Sequence, residues 1–256
     1  MLILYIRDDL WYGQAVSTKK WKMHILDRFL RYYGNYVITN MNLPWGQDIR
    51  PNVDWLTQEQ LKVLRDLPMS PLSRIVINLE LFCGLRNVEV IRLRVKDVRI
   101  CEGYLEVRGK GRGGGKWRSV PMGYGTEEAI QQWLNERNKI VSEYRKFHPE
   151  DDIPDSLLIW KRYSGHRMVI NSYSERGHSL DRAVIIPLRK SVGFEFSNHT
   201  LRRTFGREMF HAGVEIETIS KILGHESIDM TLKYLGLNMD DMKKGMNRAK
   251  NFFGNL

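Results

Sequence analysis

Cysteine is almost missing from this chain. Cys83 and Cys101 are the only two in 256 residues, and neither stands at a metal-ligand spacing, which argues against a disulfide framework or a zinc knuckle and fits a reducing, cytoplasmic setting. Long apolar runs are missing too. None reaches the roughly 18 residues that a membrane span needs, and the opening MLILYIRDDLWYG is broken by charge too early for a signal peptide, so no membrane partner is expected. No internal repeat is present, and no cluster of carboxylates stands ready to hold a pair of magnesium ions. Acidic charge is in short supply: 30 Asp and Glu face 40 Lys and Arg, a formal charge of +10. That balance favours a polyanionic partner such as nucleic acid, although a basic chain can equally carry solvated faces.

The length is enough for one large domain, or a catalytic domain with a small appendage. In 18–34, TKKWKMHILDRFLRYYG, the residues Trp21, Ile25, Phe29 and Tyr32 or Tyr33 recur at helical spacing with basic residues between them, which predicts one amphipathic helix in a short N-terminal region, 1–50. The stretch MNLPWGQDIRPNVDW reads as a linker ending near residue 53. Thr57-Gln-Glu-Gln60 matches a capping box and opens the next domain, 54–236. Within it, 72–82 is apolar nearly all round and predicts a buried helix. GYLEVRG and KWRSVPM read as two strands about a glycine-rich turn, 126–147 as helix, 148–180 as mostly irregular, and 181 onward as helix again. The expected fold is mainly α with a small antiparallel β-sheet, an α+β architecture.

Polar chemistry concentrates in four places. In HTLRR, His199 and Arg202 are three apart on a helix and share a face, Arg203 points elsewhere, and His211 falls outside the set. A guanidinium beside an imidazole suits an oxyanion or phosphate, although H-x-x-R alone reads more readily as a surface pair. In ILGHESIDMTLKYLG, Gly224 ends one helix and His225 sits at the junction with the next, either capping it or facing a ligand. Tyr234 lies nine residues on, able to swing its hydroxyl to the same point or simply to stay half-buried. In GLRNVE, Arg86 emerges from the buried helix, with Glu89 about one turn on to hold it or a neighbouring histidine. The turn VRGKGRGGGKWRSVP contains a formal G-x-G-x-x-G, but it joins two strands, so the dinucleotide reading fails for want of a helix, and Trp117 stands where a Walker A loop needs Ser or Thr. A basic hairpin reaching toward a DNA backbone suits it better, with a solvated turn as the bland alternative. Cations, histidines and a tyrosine leave open phosphoryl transfer to a protein nucleophile, in which the cationic surroundings would ease ionisation of the phenol.

The segments FCGLRNVEVIRLRVKDV, VRGKGRGGGKWRSVPM, SNHTLRRTF and ILGHESIDMTLKYLG, taken in order over about 54–236, resemble the tyrosine recombinases, or phage integrase family, in the branch of archaeal and viral integrases and Xer-like enzymes. The resemblance implies a site-specific DNA recombinase that cleaves and rejoins strands through a 3′-phosphotyrosine without metal, ATP or other cofactor. Arg86 and Arg202 would clamp the scissile phosphate, with His199 and His225 completing the pocket. Lys110 would protonate the departing 5′ oxygen, with Lys116 a second basic candidate on the same hairpin. Tyr234 would be the nucleophile and Glu89 a supporting acid. Arg108, Arg112, Lys116, Arg118 and Arg203 are expected at DNA, and a homotetramer on paired double-stranded sites is the implied assembly. The alternatives are a type IB topoisomerase, which shares the tyrosine chemistry without paired sites, a binding protein that has lost the reaction, and a metal-dependent nuclease. In the tail, 237–256, Met239, Met242, Met246, Ala249 and Phe253 form a helical stripe that either packs on its own core or is exchanged with a neighbouring subunit.

Overall fold

The computed structural model describes residues 2–14, 16–45, 55–109, 115–165, 167–175 and 178–236, together with 241, 243, 246 and 247. The chain divides into two units, Met1–Val53 and Asp54–Leu256. In the first, α1 (Leu2–Tyr5) widens into a π-type turn, Ile6–Leu10, and is followed by α2 (Val16–Tyr32) and α3 (Val37–Asn40). The long helix stands where the apolar spacing predicts it, but its packing face is not the predicted one. Met23 and Asp27 are the buried positions, while Trp21 is 63% exposed and Ile25, Phe29, Tyr32 and Tyr33 also face outward. The unit is too small to cover so wide a stripe. Its rings pack on one another instead, Phe29 against Tyr33 at 5.1 Å and Tyr32 against Tyr33 at 5.2 Å. Asp27 ties α2 to α3 by accepting a 2.7 Å hydrogen bond from Thr39 Oγ1.

The second unit opens with α4 (Gln58–Asp66), and the capping box is formed as expected: Gln60 N donates to Thr57 Oγ1 at 3.3 Å and Thr57 N donates to Gln60 Oε1 at 2.9 Å. Helix α5 (Pro71–Ile77) runs into a wide π-type turn, Asn78–Phe82. Nearly every side chain from Ile75 to Leu81 is buried, as the all-round apolar pattern requires. The segment stops at Gly84, whose φ of +66° suits only glycine, and a Cβ there would lie 2.4 Å from the Phe205 ring. The short α6 (Asn87–Arg92) then leads into a three-stranded antiparallel sheet of β1 (Val98–Arg99), β2 (Tyr104–Arg108) and β3 (Trp117–Pro121), in that order. Leu105 pairs with Val120 and Arg108 with Trp117. Inward Leu105, Val107 and Val120 seat this sheet on the main core beside α5 and α7 (Thr126–Arg145).

Residues 148–180 are not irregular throughout. A second antiparallel hairpin, β4 (Ile159–Ser164) and β5 (Arg167–Ser172), occupies the middle of that stretch. Its alternation is confined to Ile159, Met168 and Ile170, which point inward, and the outward basic and aromatic side chains mask that period. A wide turn, Asp181–Ile185, follows, then α8 (Ile186–Val192), α9 (Asn198–His211), α10 (Ile216–Leu223) and α11 (Ile228–Leu235). The architecture is mainly helical with small antiparallel sheets. Phe205 of α9 and Ile219 and Leu223 of α10 form a small separate core, against which Tyr234 of α11 packs. In the tail, Met239, Met242, Ala249 and Phe253 lie outside the described residues, and Met246 is exposed. Asp241 pairs with Arg207 of the same chain at 2.9 Å, and the Arg207 guanidinium lies 3.8 Å over the Trp55 ring.

Candidate active site

The site is built around one carboxylate. Glu89, on the first turn of α6, is about 1% exposed and receives three guanidinium groups. Arg86 Nη1 donates to its Oε1 at 2.9 Å and Arg86 N to its Oε2 at 2.9 Å, which closes the start of the helix. Arg118 reaches in from β3 with a bidentate pair, 2.9 Å to each oxygen. Arg202 Nη1 stands 3.5 Å from Oε2. Burial opposes the charge on Glu89, but the Arg118 and Arg86 hydrogen bonds outweigh it and hold the carboxyl below its usual range. One buried negative charge against three positive ones leaves the pocket cationic.

Backbone carbonyls fix the arginines further. Arg202, itself 1% exposed, donates to the carbonyls of Gly84 and Leu223, and Arg86 donates to those of Leu223 at 3.2 Å and Gly224 at 3.4 Å. The end of α10 therefore serves as a rack on which both guanidinium groups hang. Its last carbonyls have no helical partner, and the left-handed turn at Gly224, φ +64°, aims them at the pocket. Burial and the nearby Arg86 push Arg202 down to about 10, so it remains charged at neutral pH.

His225 follows this turn. Its Nδ1 lies 2.8 Å from Thr231 Oγ1 and its Nε2 lies 3.4 Å from Arg202 Nη2. Because Arg202 can only donate, the consistent assignment is a neutral imidazole with the proton on Nδ1. Burial and then Arg202, Arg86 and Arg118 lower its pKa to about 4, in agreement with a neutral ring. Tyr234 stands edge-on to His225 with ring centroids 5.1 Å apart, and the guanidinium carbons of Arg202 and Arg203 lie 5.9 and 5.5 Å from its ring centre. Its hydroxyl is buried without a hydrogen-bond partner among the described residues. The cationic surroundings act in the expected direction, but burial outweighs them: it raises the phenol pKa, and Arg202 and Arg203 offset this only in part.

The structure thus brings together Arg86, Glu89, Arg202, His225 and Tyr234. His199 is exposed on the first turn of α9. Lys110 and Arg112 lie outside the described residues. Arg108 and Lys116 are exposed at the neck of their hairpin, where Gly109 N donates to Lys116 O at 2.9 Å. Arg118 also joins the site: strand parity sets it on the same side as buried Val120, its Nε donates to Ile222 O at 2.9 Å and its fork holds Glu89. Arg203 does not point away from the set, because one residue of rotation leaves it on the other flank of the Tyr234 ring. Arg118 and Thr231 are the site residues that sequence reasoning missed as such. Parity along β3 was a usable signal for Arg118, whereas nothing in the spacing marks Thr231.

A helical domain in which a cationic, carboxylate-centred pocket faces a half-buried tyrosine is the class of protein defined here. Residues 54–241 match the model of the phage integrase family, and the chain belongs to that family. Tyrosine recombinase XerC of Oceanobacillus iheyensis is 27% identical over 244 residues, covering 90% of this chain and 72% of the relative. XerC of Pelobacter propionicus is 29% identical over 196 residues, covering 75% of this chain and 54% of that protein, so this chain aligns with about half of it. Among solved structures, XerH recombinase bound to a palindromic difH substrate has a TM-score of 0.65 at 20% identity, covering 96% of this chain and 68% of that one. The Tn1549 transposon integrase with circular intermediate DNA has a TM-score of 0.64 at 18% identity, covering 96% and 83%. At such identities the structures speak to the fold.

Proposed function

We propose that this chain is a site-specific DNA recombinase that breaks and rejoins strands through a covalent phosphotyrosine. The observation that carries the reading is the convergence of Arg86, Arg202 and His225 on Tyr234 in one pocket with a net positive charge. In the proposed reaction the scissile phosphate enters between Arg86 and Arg202, which neutralise the charge that builds as a fifth oxygen approaches phosphorus. Tyr234 Oη forms the new bond to phosphorus, and the bond from phosphorus to the 5′ oxygen breaks. Lys110, two residues beyond β2 in the sequence, supplies the proton to that departing oxygen, and His199 adds a donor to the phosphate. The phenol is not ionised in advance, so its proton leaves during attack; the entering phosphate anion offsets the arginine charge that holds His225 down at about 4, and its ring, 5.1 Å away, can then take the proton. The phosphodiester energy stays in the 3′-phosphotyrosine, so attack by a 5′-hydroxyl reverses the step and rejoins a strand. Arg108, Arg112 and Lys116 meet the DNA backbone in this reading, and Arg203 flanks the nucleophile. The working form is a tetramer on two double-stranded sites, with the tail after Tyr234 exchanged between subunits.

The test uses wild type and Tyr234→Phe with supercoiled plasmid and with DNA fragments carrying candidate sites, in chelator, followed by denaturation and a search for covalent adducts. The expected result is an adduct with wild type alone, on particular fragments. An adduct on any DNA would favour a topoisomerase. Equal DNA binding by both proteins with no adduct would favour a binding protein without the reaction.

A further inference from the structure

Asp181 lies outside all four motif segments, at the start of the turn that precedes α8. One of its carboxylate oxygens gathers two side-chain amides: Asn87 Nδ2 donates to Oδ1 at 2.9 Å, and Asn198 Nδ2 donates to the same atom at 2.6 Å. Asn87 directly follows Arg86 and is the first residue of α6, while Asn198 directly precedes His199 and is the first residue of α9. The amide oxygens of both asparagines are buried and have no partner among the described residues. Their orientation is therefore set by Asp181: flipping either amide would bring its oxygen against the carboxylate. The second carboxylate oxygen lies 2.9 Å from His178 Nδ1. His178 has a φ of +51°, the single non-glycine residue with a positive φ among the described residues. Backbone held in that region is found where surrounding structure over-determines it, and functional sites are common among such places.

We propose that Asp181 is a positioning residue that locks the start of the helix bearing Arg86 to the start of the helix bearing His199 and Arg202, and so sets the spacing of the anion pocket. Glu89 gathers the guanidinium ends of the arginines, and Asp181 gathers the backbone starts from which they and His199 extend. Fixing both points removes the rotation about a single hub that would let the clamp open by an ångström. Near this junction Glu80 is fully buried, with both carboxyl oxygens unpartnered among the described residues. Burial and then Asp181 raise its pKa well above the usual range, so Glu80 does not compete for the amides.

This proposal rests on the strand-cleavage reading, and its test separates the two. Single-turnover adduct formation, DNA affinity and thermal melting are measured for wild type, Asp181→Ala, Asp181→Asn, Asn87→Ala and the Asp181→Ala/Asn87→Ala pair. Asp181→Ala should slow adduct formation by about 10- to 100-fold while DNA affinity stays within about threefold. Asp181→Asn keeps an amide oxygen that accepts from both asparagines and should recover to within about fivefold of wild type, a rescue that loss of packing would not give. The double variant should be no slower than Asp181→Ala alone, because Asn87 acts through Asp181. A wild-type rate for Asp181→Ala, or equal slowing by the Ala and Asn variants, would overturn the clamp. If Asp181→Ala fails to fold, Asn87→Ala removes one arm, and an undiminished rate there would overturn it equally. If wild type forms no adduct, the functional reading falls instead. The clamp is then judged by inorganic sulfate: Asp181→Ala should bind it several-fold more weakly, seen as a smaller sulfate-induced rise in melting temperature, and equal affinity would refute it.

Discussion

At the scale of single residues, the pocket trades solvent for geometry. The Tyr234 hydroxyl is buried and has no hydrogen-bond partner among the described residues, which leaves a polar atom that a phosphate oxygen could accept from. His225 shows the same trade in its protonation. In the unfolded chain an imidazole takes up a proton near pH 6.5, whereas the folded protein does not charge His225 until about 4. Between those values the unfolded state holds the extra proton, so the contribution is fully present above about 6.5 and is lost as pH falls toward 4. Urea unfolding of wild type should therefore show a midpoint that drops between pH 7 and 4.5, and His225→Gln should show a flatter profile. Parallel profiles would mean that His225 titrates normally in the folded protein.

At the scale of elements, β3 and the end of α10 decide what the motifs can do. Arg118 joins the sheet to Glu89 and to the last turn of α10, so it braces the pocket. Arg118→Ala leaves a buried carboxylate short of a partner and should cost about 3 kcal/mol in urea unfolding, with Lys116→Ala near neutral. A stability equal to wild type would show that Arg86 and Arg202 satisfy Glu89 unaided. The sharing of one pocket by Arg86, Arg202, His225 and Tyr234 was implied by the family resemblance. Legible in the residues themselves were the capping box at Thr57, the buried run ahead of Arg86 and the break at Gly224. Those features are written in local spacing and in residue types that suit few conformations. The Glu89 hub was only half legible, because Arg118 lies 29 residues away and reaches it through tertiary packing. The β4 and β5 hairpin was hidden because its few inward residues are outnumbered by solvated ones. The Asp181 junction could not be read at all, since three polar side chains from separate segments have no period in common.

At the scale of the whole molecule, the two units differ in what holds them. The large buried core lies entirely within the second, from Leu56 to Leu201, together with the small cluster under Tyr234. A fragment spanning 55–256 should accordingly unfold in a single cooperative transition. It should bind DNA more weakly than the full chain and with a shallower salt dependence, because Lys19, Lys20, Lys22, Arg28 and Arg31 leave with the first unit. Identical affinity and salt slope would show that the first unit contributes no phosphate contacts. The Tyr234 hydroxyl, buried and without a partner among the described residues, has a further consequence for observing this protein. A buried phenol absorbs ultraviolet light at a slightly different wavelength once its oxygen acquires a hydrogen-bonding neighbour. The difference spectrum between wild type and Tyr234→Phe can therefore serve as a built-in optical gauge of pocket occupancy, readable before any bond is broken.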